Sequence, residues 1–571
     1  MSIVIQRYGH VGEEQRYPLA AWIWGHRLRT GQHWMEYLLE FLNVLAGFEY
    51  RLGQGLDGYN DGASYLEGYR RFSRLGLRRF VFYDDREKTK HPFDDYAREL
   101  LWKRLEGHVS AEGNNDVGEC LVLVRHLLRA FSAIEEDRSW YAKSLFPANH
   151  NLLFWEALRK GATKFQGEDI SLDDVSPNRL DAGVSFSERN FFARGGEIYY
   201  LILSAGTEHL PERRAFIAQR LETLLKGHNR HLGRLADIVD QAWYENNGAV
   251  ISTDSTQNEG GTASLGWIVD PACPLYTYIA EDAATFLRND LDSLECLDLF
   301  AHLIGFHLVQ YIYHRAHPNA IMEQHASGKC SEACRPLILV DALEGESNKI
   351  IRNVSAALFR EHELYQEQKL RTFLQMQVET WTAELAGDPN FSLGLVDQAE
   401  RIFTIGQERG RNRQAYQRQV ERLRTNLTKG ESNITAFARE YAEVLSSTVI
   451  SDFRKNFLGV HRKLAKSVGF VAPRTGSAAR FVLGDNLLKT LVFANIPPQG
   501  EITFGDFLNR LYERYGIIIG SGEAYQSGLL NRQRINAEYY DRNRAAFLEK
   551  MNRAGLVTQY SDATALVKNT Q

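Results

Sequence analysis

The sequence predicts a mainly α-helical, multi-domain protein, on three observations. Apolar residues recur at helical spacing along most of the chain. Its 571 residues exceed what one hydrophobic core usually organises, which predicts roughly two to four domains. From about Phe481 to the end, the text reads as three helices and then two short runs around a Ser561-Asp562 turn. That order is the outline of a winged-helix-like domain.

The composition narrows the class. Nine Trp, 26 Tyr and 30 Phe argue against long disordered regions. The formal net charge of −5 confines any nucleic-acid contact to a local patch. Cys120, Cys273, Cys296, Cys330 and Cys334 are an odd, sparse set, which is not a disulfide framework and fits the reducing cytoplasm. The N-terminus lacks a signal-peptide pattern. The longest apolar run, LFAHLIGFHLVQYIYH, carries several histidines, so no membrane span is expected.

Residues 1–245 read as an N-terminal helical domain. From Pro18 to Gly47, Trp22, Trp24, Trp34, Tyr37, Leu38, Phe41, Leu42 and Leu45 recur near helical spacing. Such a stripe could stack bases; we read it as core, since apolar stripes usually face one. Leu75 to Tyr83 reads as a short strand or buried turn, and Asp94 to Glu106 as a helix. Asn115 to Phe131 is a helix with Cys120, Val124, Leu127, Leu128 and Phe131 on its expected buried stripe. Asn151 to Gly161 is read as a helix ending at glycine. Phe165 to Asp181 is read as a loop. Arg194-Gly195-Gly196-Glu197 is either a ligand-binding turn or the start of a tightly packed helix; the second is favoured. Leu210 to Tyr244 is strongly helical.

Residues 246–266, rich in Gly, Ser, Thr and Asn, read as a loop or interdomain connection. Residues 267–400 form a central α(+β) domain: a helix pair from Glu281 to Arg315, a strand from Leu337 to Asp341, then helices. Residues 401–480 are a basic helical segment. Arg409, Arg411, Arg413, Arg418, Arg422, Arg424 and Lys429 face few acids there. Residues 481–571 are the winged-helix-like unit, whose recognition helix would hold Arg542 and Arg544. A winged helix lays a helix in the major groove, although many instead contact protein. Glu538, Asp541 and Glu549 dilute the charge, leaving both options open.

Two constellations carry chemistry. His317, His325, Cys330 and Cys334 lie close in sequence. Zinc takes three or four N or S ligands, and Cys330 and Cys334 at i, i+4 could face one ion, with His325 or His317 completing a structural site. The alternative is buried cysteines beside histidines that cap helices, since a C-x-x-x-C pair is weakly diagnostic. Second, Asp341 at a strand end, with Glu344 and Glu346 following, could bind a divalent ion as in a metal-dependent nuclease or other hydrolase. No E-x-K partner lies nearby, and Asp341 could equally cap the turn. There is no Walker-type phosphate loop, no H-E-x-x-H and no G-x-S-x-G, so no nucleotide cofactor is expected and no catalytic residue is assigned.

FFARGGEIYYLIL, the CRPLILVD segment with its following helix, and GDFLNRLYERYGIIIG with the closing GLVTQYSDATALV resemble large proteins encoded in bacterial antiphage defence clusters. The resemblance implies antiviral defence and a protein complex with an ATPase, helicase or methyltransferase. It carries over no catalytic residue. The function expected is a non-catalytic subunit that contacts double-stranded DNA or a DNA-bound partner, with the metal-dependent nuclease as the alternative.

Overall fold

The computed structural model describes residues 28, 33–47, 50–53, 74–82, 94–110, 116–134, 144–153, 157–158, 184–185, 195–244, 273–319, 321–323, 326–329, 334–343, 349–403, 411–456, 458–473, 479–561 and 564–571. The described chain is mainly helical, with short strands.

One helix organises the rest. It runs Ser293–Ala316 and is preceded by α1 (Trp34–Gly47), α2 (Leu75–Phe82), α3 (Asp94–Glu106), α4 (Val117–Arg129), α5 (Gly195–Gly206), α6 (Pro211–Glu222), α7 (Arg230–Tyr244) and α8 (Pro274–Leu287), so it is α9. Asp292 caps it, accepting from the Leu294 N–H at 2.9 Å. Pro318 lies just beyond its end at Ala316. Nearly every side chain along it is buried, because α1, α5, α8 and later helices surround it. A helix that is apolar all round is a core helix or a membrane span. This one is long and apolar enough to cross a membrane, contrary to the expectation that no run would be, yet protein covers 94% of its apolar window.

The Arg-Gly-Gly-Glu segment begins the packed helix α5. A Cβ on Gly195 would collide with the Tyr37 ring, and one on Gly196 would collide with the backbone at Tyr37 and Phe41. The paired glycines let α5 cross α1 at backbone distance, and the Glu40 carboxylate accepts from the Gly196 N–H at 2.8 Å.

A second, smaller apolar core lies among α2, α3, α4 and α7, with Leu77, Leu101, Leu121, Leu128, Val239 and Trp243 buried. Leu75 to Phe82 is helical here, not a strand, because Leu77, Phe80 and Val81 at helical spacing close on α7. In α4 the buried residues are Leu121 and Leu128, whereas Leu127 is half exposed and Cys120 only partly covered. The buried stripe is therefore rotated from the expected one. The helix expected over 151–161 is also corrected. β1 (Ser132–Ile134) pairs with β2 (Ser144–Leu145), a short 3-10 turn covers His150–Leu152, and β3 (Ala157–Leu158) pairs with β4 (Val184–Ser185). The apolar run there is too short for its period to separate helix from strand.

After α9 come the hairpin β5–β6 (Ile321–Glu323, Ala326–Lys329) and β7 (Ile338–Leu339). Next are the 35-residue α10 (Ile350–Glu384), α11 (Phe391–Phe403), α12 (Arg411–Thr428), α13 (Ile434–Asn456), α14 (Leu458–Ser467) and the antiparallel pair β8 (Val471–Ala472) and β9 (Arg480–Phe481). α13 packs along α10, and α12 packs on α13.

The C-terminal unit contains α15 (Asp485–Asn495), β10 (Glu501–Thr503), α16 (Phe504–Tyr515), β11 (Ile517–Ile518), the short α17 and α18 (Ser521–Gln526, Leu529–Gln533), and α19 (Ala537–Arg553). The hairpin expected after Gly555 is present as β12 (Val557–Ser561) and β13 (Thr564–Lys568). β10 pairs with β13 antiparallel, Ile502 opposite Val567, giving sheet order β10-β13-β12.

This unit is joined to the body through the interior. β11 pairs in parallel with β7, the Ile338 and Val340 N–H groups donating to the carbonyls of Gly516 and Ile518 at 3.0 Å. Gly516 ends α16 at φ +70°, and a Cβ there would overlap the Pro336 carbonyl oxygen. α15 packs on α8 and α9, and one continuous set of buried apolar residues runs from Leu28 to Val567.

Candidate nucleic-acid interface

The basic segment folds as α12, and its two faces differ. Tyr416, Val420 and Leu423 are buried, and Tyr416 shares a 2.9 Å hydroxyl hydrogen bond with Tyr441 of α13. Arg418, Arg422 and Lys429 are exposed. At 100° per residue Arg418 and Arg422 lie on the side opposite the buried stripe, position 411 shares their register, and Lys429 directly follows the last helical residue, Thr428. Arg413 and Arg424 sit on the flanks, half-buried. Arg424 lies 3.3 Å from exposed Glu421, an ion pair that solvent leaves with little energy. Arg409 lies outside the described residues. The turn after α12 passes through Gly430, at φ +71°, where nothing lies within 4 Å of an added Cβ.

Three basic residues of α19 have acidic neighbours. Arg542 pairs with Glu538 at 2.6 Å, Arg553 with Glu549, and Lys550 lies 3.6 Å from Asp485. Arg544 is exposed and its guanidinium stands 5.6 Å from the centroid of Phe504. The buried face of α19 carries Tyr540, Asn543, Phe547 and Met551. Asn543 donates to the carbonyls of Val340 (2.8 Å) and Ile519 (2.9 Å) and accepts from the Ala342 N–H (2.9 Å).

Of the expected zinc ligands, His325 and Cys330 lie outside the described residues. Cys334 is fully buried, and His317 accepts the Asn319 N–H on Nδ1 at 3.2 Å. Burial pushes the His317 pKa down to about 4. Among the described residues no group of three or more His, Cys, Asp or Glu is arranged to hold a metal. Burial pushes the Cys296 thiol up to about 12, as for an inert core cysteine.

Asp341 is buried and accepts from Arg480 at 2.6 Å and from the Leu343 N–H at 3.2 Å, with Arg352 at 3.5 Å. Its oxygens are committed to two guanidiniums and a turn, which is the capping alternative rather than the metal-binding one. Glu344 and Glu346 lie outside the described residues.

Two polar networks, one buried and one whose arginines are exposed, were not legible in the sequence. In the first, Tyr199 donates to His307 Nδ1 (3.1 Å), and His307 Nε2 donates to Asp282 (3.1 Å). The tautomer follows from Tyr199 and Asp282 occupying opposite ring nitrogens. Asp282 also accepts from Tyr515 (2.8 Å) and Arg514. In the second, Glu361, Glu363 and Glu367 of α10 pair with Arg532, Arg462 and Arg454. His362 stacks on Tyr313 at 4.3 Å in the same layer. These residues are scattered along the chain, and no local spacing signals that they meet.

Compared with models of known protein families, with curated proteins and with solved structures, the chain matches none at a significant level.

Proposed function

We propose that this protein is a non-catalytic binding subunit that contacts double-stranded DNA through the outer face of α12. The observation that carries the reading is exposed Arg418 and Arg422, set opposite the stripe that holds α12 to α13, with exposed Lys429 just past the helix end. Arginine offers a planar fork of donors that suits phosphate, and a row on one helix face follows a backbone without reading bases. A chain of net charge −5 can hold DNA only through such a patch.

The C-terminal unit is read as winged-helix-like. What supports this is the run α15, β10 and α16, followed after β11 and the two short helices by α19 and the hairpin, with β10, β13 and β12 in one three-stranded sheet. Because Arg542 is already paired and acids share its helix, we assign α19 to protein contact rather than to a DNA groove. The resemblance to proteins of bacterial antiphage defence clusters supports a place in an antiviral complex, beside a partner of ATPase, helicase or methyltransferase type. The nuclease reading is not carried forward, because Asp341 is held by Arg480 and Arg352.

The test is a gel-shift titration of duplex DNA at two salt concentrations. The wild type is expected to bind with no sequence preference. The variant Arg418→Ala, Arg422→Ala, Lys429→Ala is expected to bind every duplex more weakly. Its salt dependence should flatten by roughly one unit of slope for each phosphate it no longer neutralises. No binding by the wild type at low salt, or unchanged binding by the variant, would reject the reading.

A further inference from the structure

We infer that α4 carries the interface through which two copies of this chain associate, side by side and antiparallel, independently of the DNA surface. Asp116 caps the helix, accepting from the Gly118 N–H at 3.2 Å. Its buried residues Leu121 and Leu128 belong to the second core, against α2, α3 and α7. The opposite side is apolar as well, and open. Val122 is 41% exposed, Leu123 68% and Leu127 49%. At 100° per residue the exposed positions Glu119, Val122, Leu123, His126, Leu127 and Ala130 form one continuous face, turned away from Leu121 and Leu128.

Elsewhere the exposed apolar side chains stand singly. Among the described residues nine large ones are exposed, and no element other than α4 carries more than one. Scattered exposed apolar residues are ordinary on any protein, whereas a contiguous set marks an association surface.

The charge along the helix identifies the occupant. Asp116 and Glu119 stand at its start, and His126 and Arg129 at its end. A parallel copy would set like charges side by side, and a partner surface of one sign would match only one end. An antiparallel copy, related by a two-fold axis between Val122 and Leu123, sets Glu119 level with the partner's His126 and Leu123 against the partner's Leu123. It also lays the positive end of each helix dipole beside the negative end of the other. Thirteen residues span about 20 Å, so one helix pair buries less than a standard interface, and the dimer is weak and concentration-dependent.

The test is sedimentation equilibrium of the full-length protein, from dilute solution to high micromolar concentration. The wild type is expected to pass from monomer to dimer. Leu123→Lys should weaken the dimer about tenfold or more, because it forces two ammonium groups together in an apolar contact. In dilute solution it should melt like the wild type, since Leu123 lies outside the buried stripe. Glu119→Lys should weaken the dimer about threefold or more, and adding His126→Glu, which reverses both charges, should restore it. The variant Arg418→Ala, Arg422→Ala, Lys429→Ala should dimerise like the wild type, which separates this surface from the DNA face. A wild type that stays monomeric at the highest concentration overturns the proposal, even if it retains another protein. A dimer that Leu123→Lys leaves intact overturns it too, as does a charge-reversed variant no stronger than Glu119→Lys. If Leu123→Lys lowers the melting temperature of the dilute monomer, the chain itself covers this face and the proposal falls.

Discussion

Single residues decide how the C-terminal unit is held. Asn543 satisfies three backbone groups at once, two carbonyls and one N–H, from the segment just after β7 and from the residue just after β11. Asn543→Leu keeps the volume and leaves all three unmatched. At about 1–3 kcal/mol for each buried unsatisfied group, the destabilisation should be about 3 kcal/mol or more, read as a lower urea midpoint. A stability within about 0.5 kcal/mol of wild type would show that water replaces the side chain. Gly516 is held by two constraints, a positive φ and the Pro336 carbonyl where a Cβ would sit. Gly516→Ala must therefore shift backbone, at a cost above the roughly 1–2 kcal/mol of the left-handed conformation alone. A thermal scan checks it.

Among the elements, α9 and α10 carry groups that respond to acid. Burial pushes the His362 pKa down to about 4, against a bond to the Leu337 carbonyl that raises it, and burial pushes His314 down to about 3. These imidazoles fold uncharged, whereas in the unfolded chain they protonate near 6.5. The unfolded state therefore binds more protons below pH 6.5, and stability is lost as pH falls from 6.5 towards 4. Glu363 adds a second step. Burial raises its pKa, but the hydrogen bonds and charges of His461 and Arg462 outweigh this and bring it down to about 2. Its contribution is present above pH 4.5 and is lost between 4.5 and 2. Urea midpoints measured from pH 7 to 4 should fall throughout, and His362→Phe should flatten the upper part of the curve. A flat wild-type profile between pH 6.5 and 4 would contradict this account of the layer.

Across the whole molecule, the buried charges between α8 and α16 couple segments far apart in the chain. Asp282→Asn leaves the Arg514 charge, which is largely covered, without its inner counter-ion. Removing one partner of a buried pair costs about 3–5 kcal/mol, so the variant should melt well below wild type. The double variant Asp282→Asn, Arg514→Met should recover part of that stability. The interior also predicts what truncation does. A chain ending at residue 480 lacks α15, which covers α8 and α9, and would expose apolar core. It should show no cooperative melting transition and should elute as an aggregate. A monodisperse, cooperatively melting fragment would show that the body stands alone.

The helical class and most of the long elements could be read from residue order, because helical periodicity is local and survives any tertiary context. The terminal hairpin was legible for the same reason: two short apolar runs around Ser561-Asp562 need no distant partner to be read. The register of Arg411, Arg418 and Arg422 could be read from residue order as well, since helical spacing holds whatever that helix packs on. Packing between distant segments determined the rest. Leu75–Phe82 is a helix because α7 receives its apolar side, and Asp341 is a buried counter-ion because Arg480, 139 positions away, reaches it. Asp282, His307 and Tyr515 meet only after α8, α9 and α16 pack. Their roles depend on burial and on the fields of residues distant in sequence, quantities that no local pattern encodes.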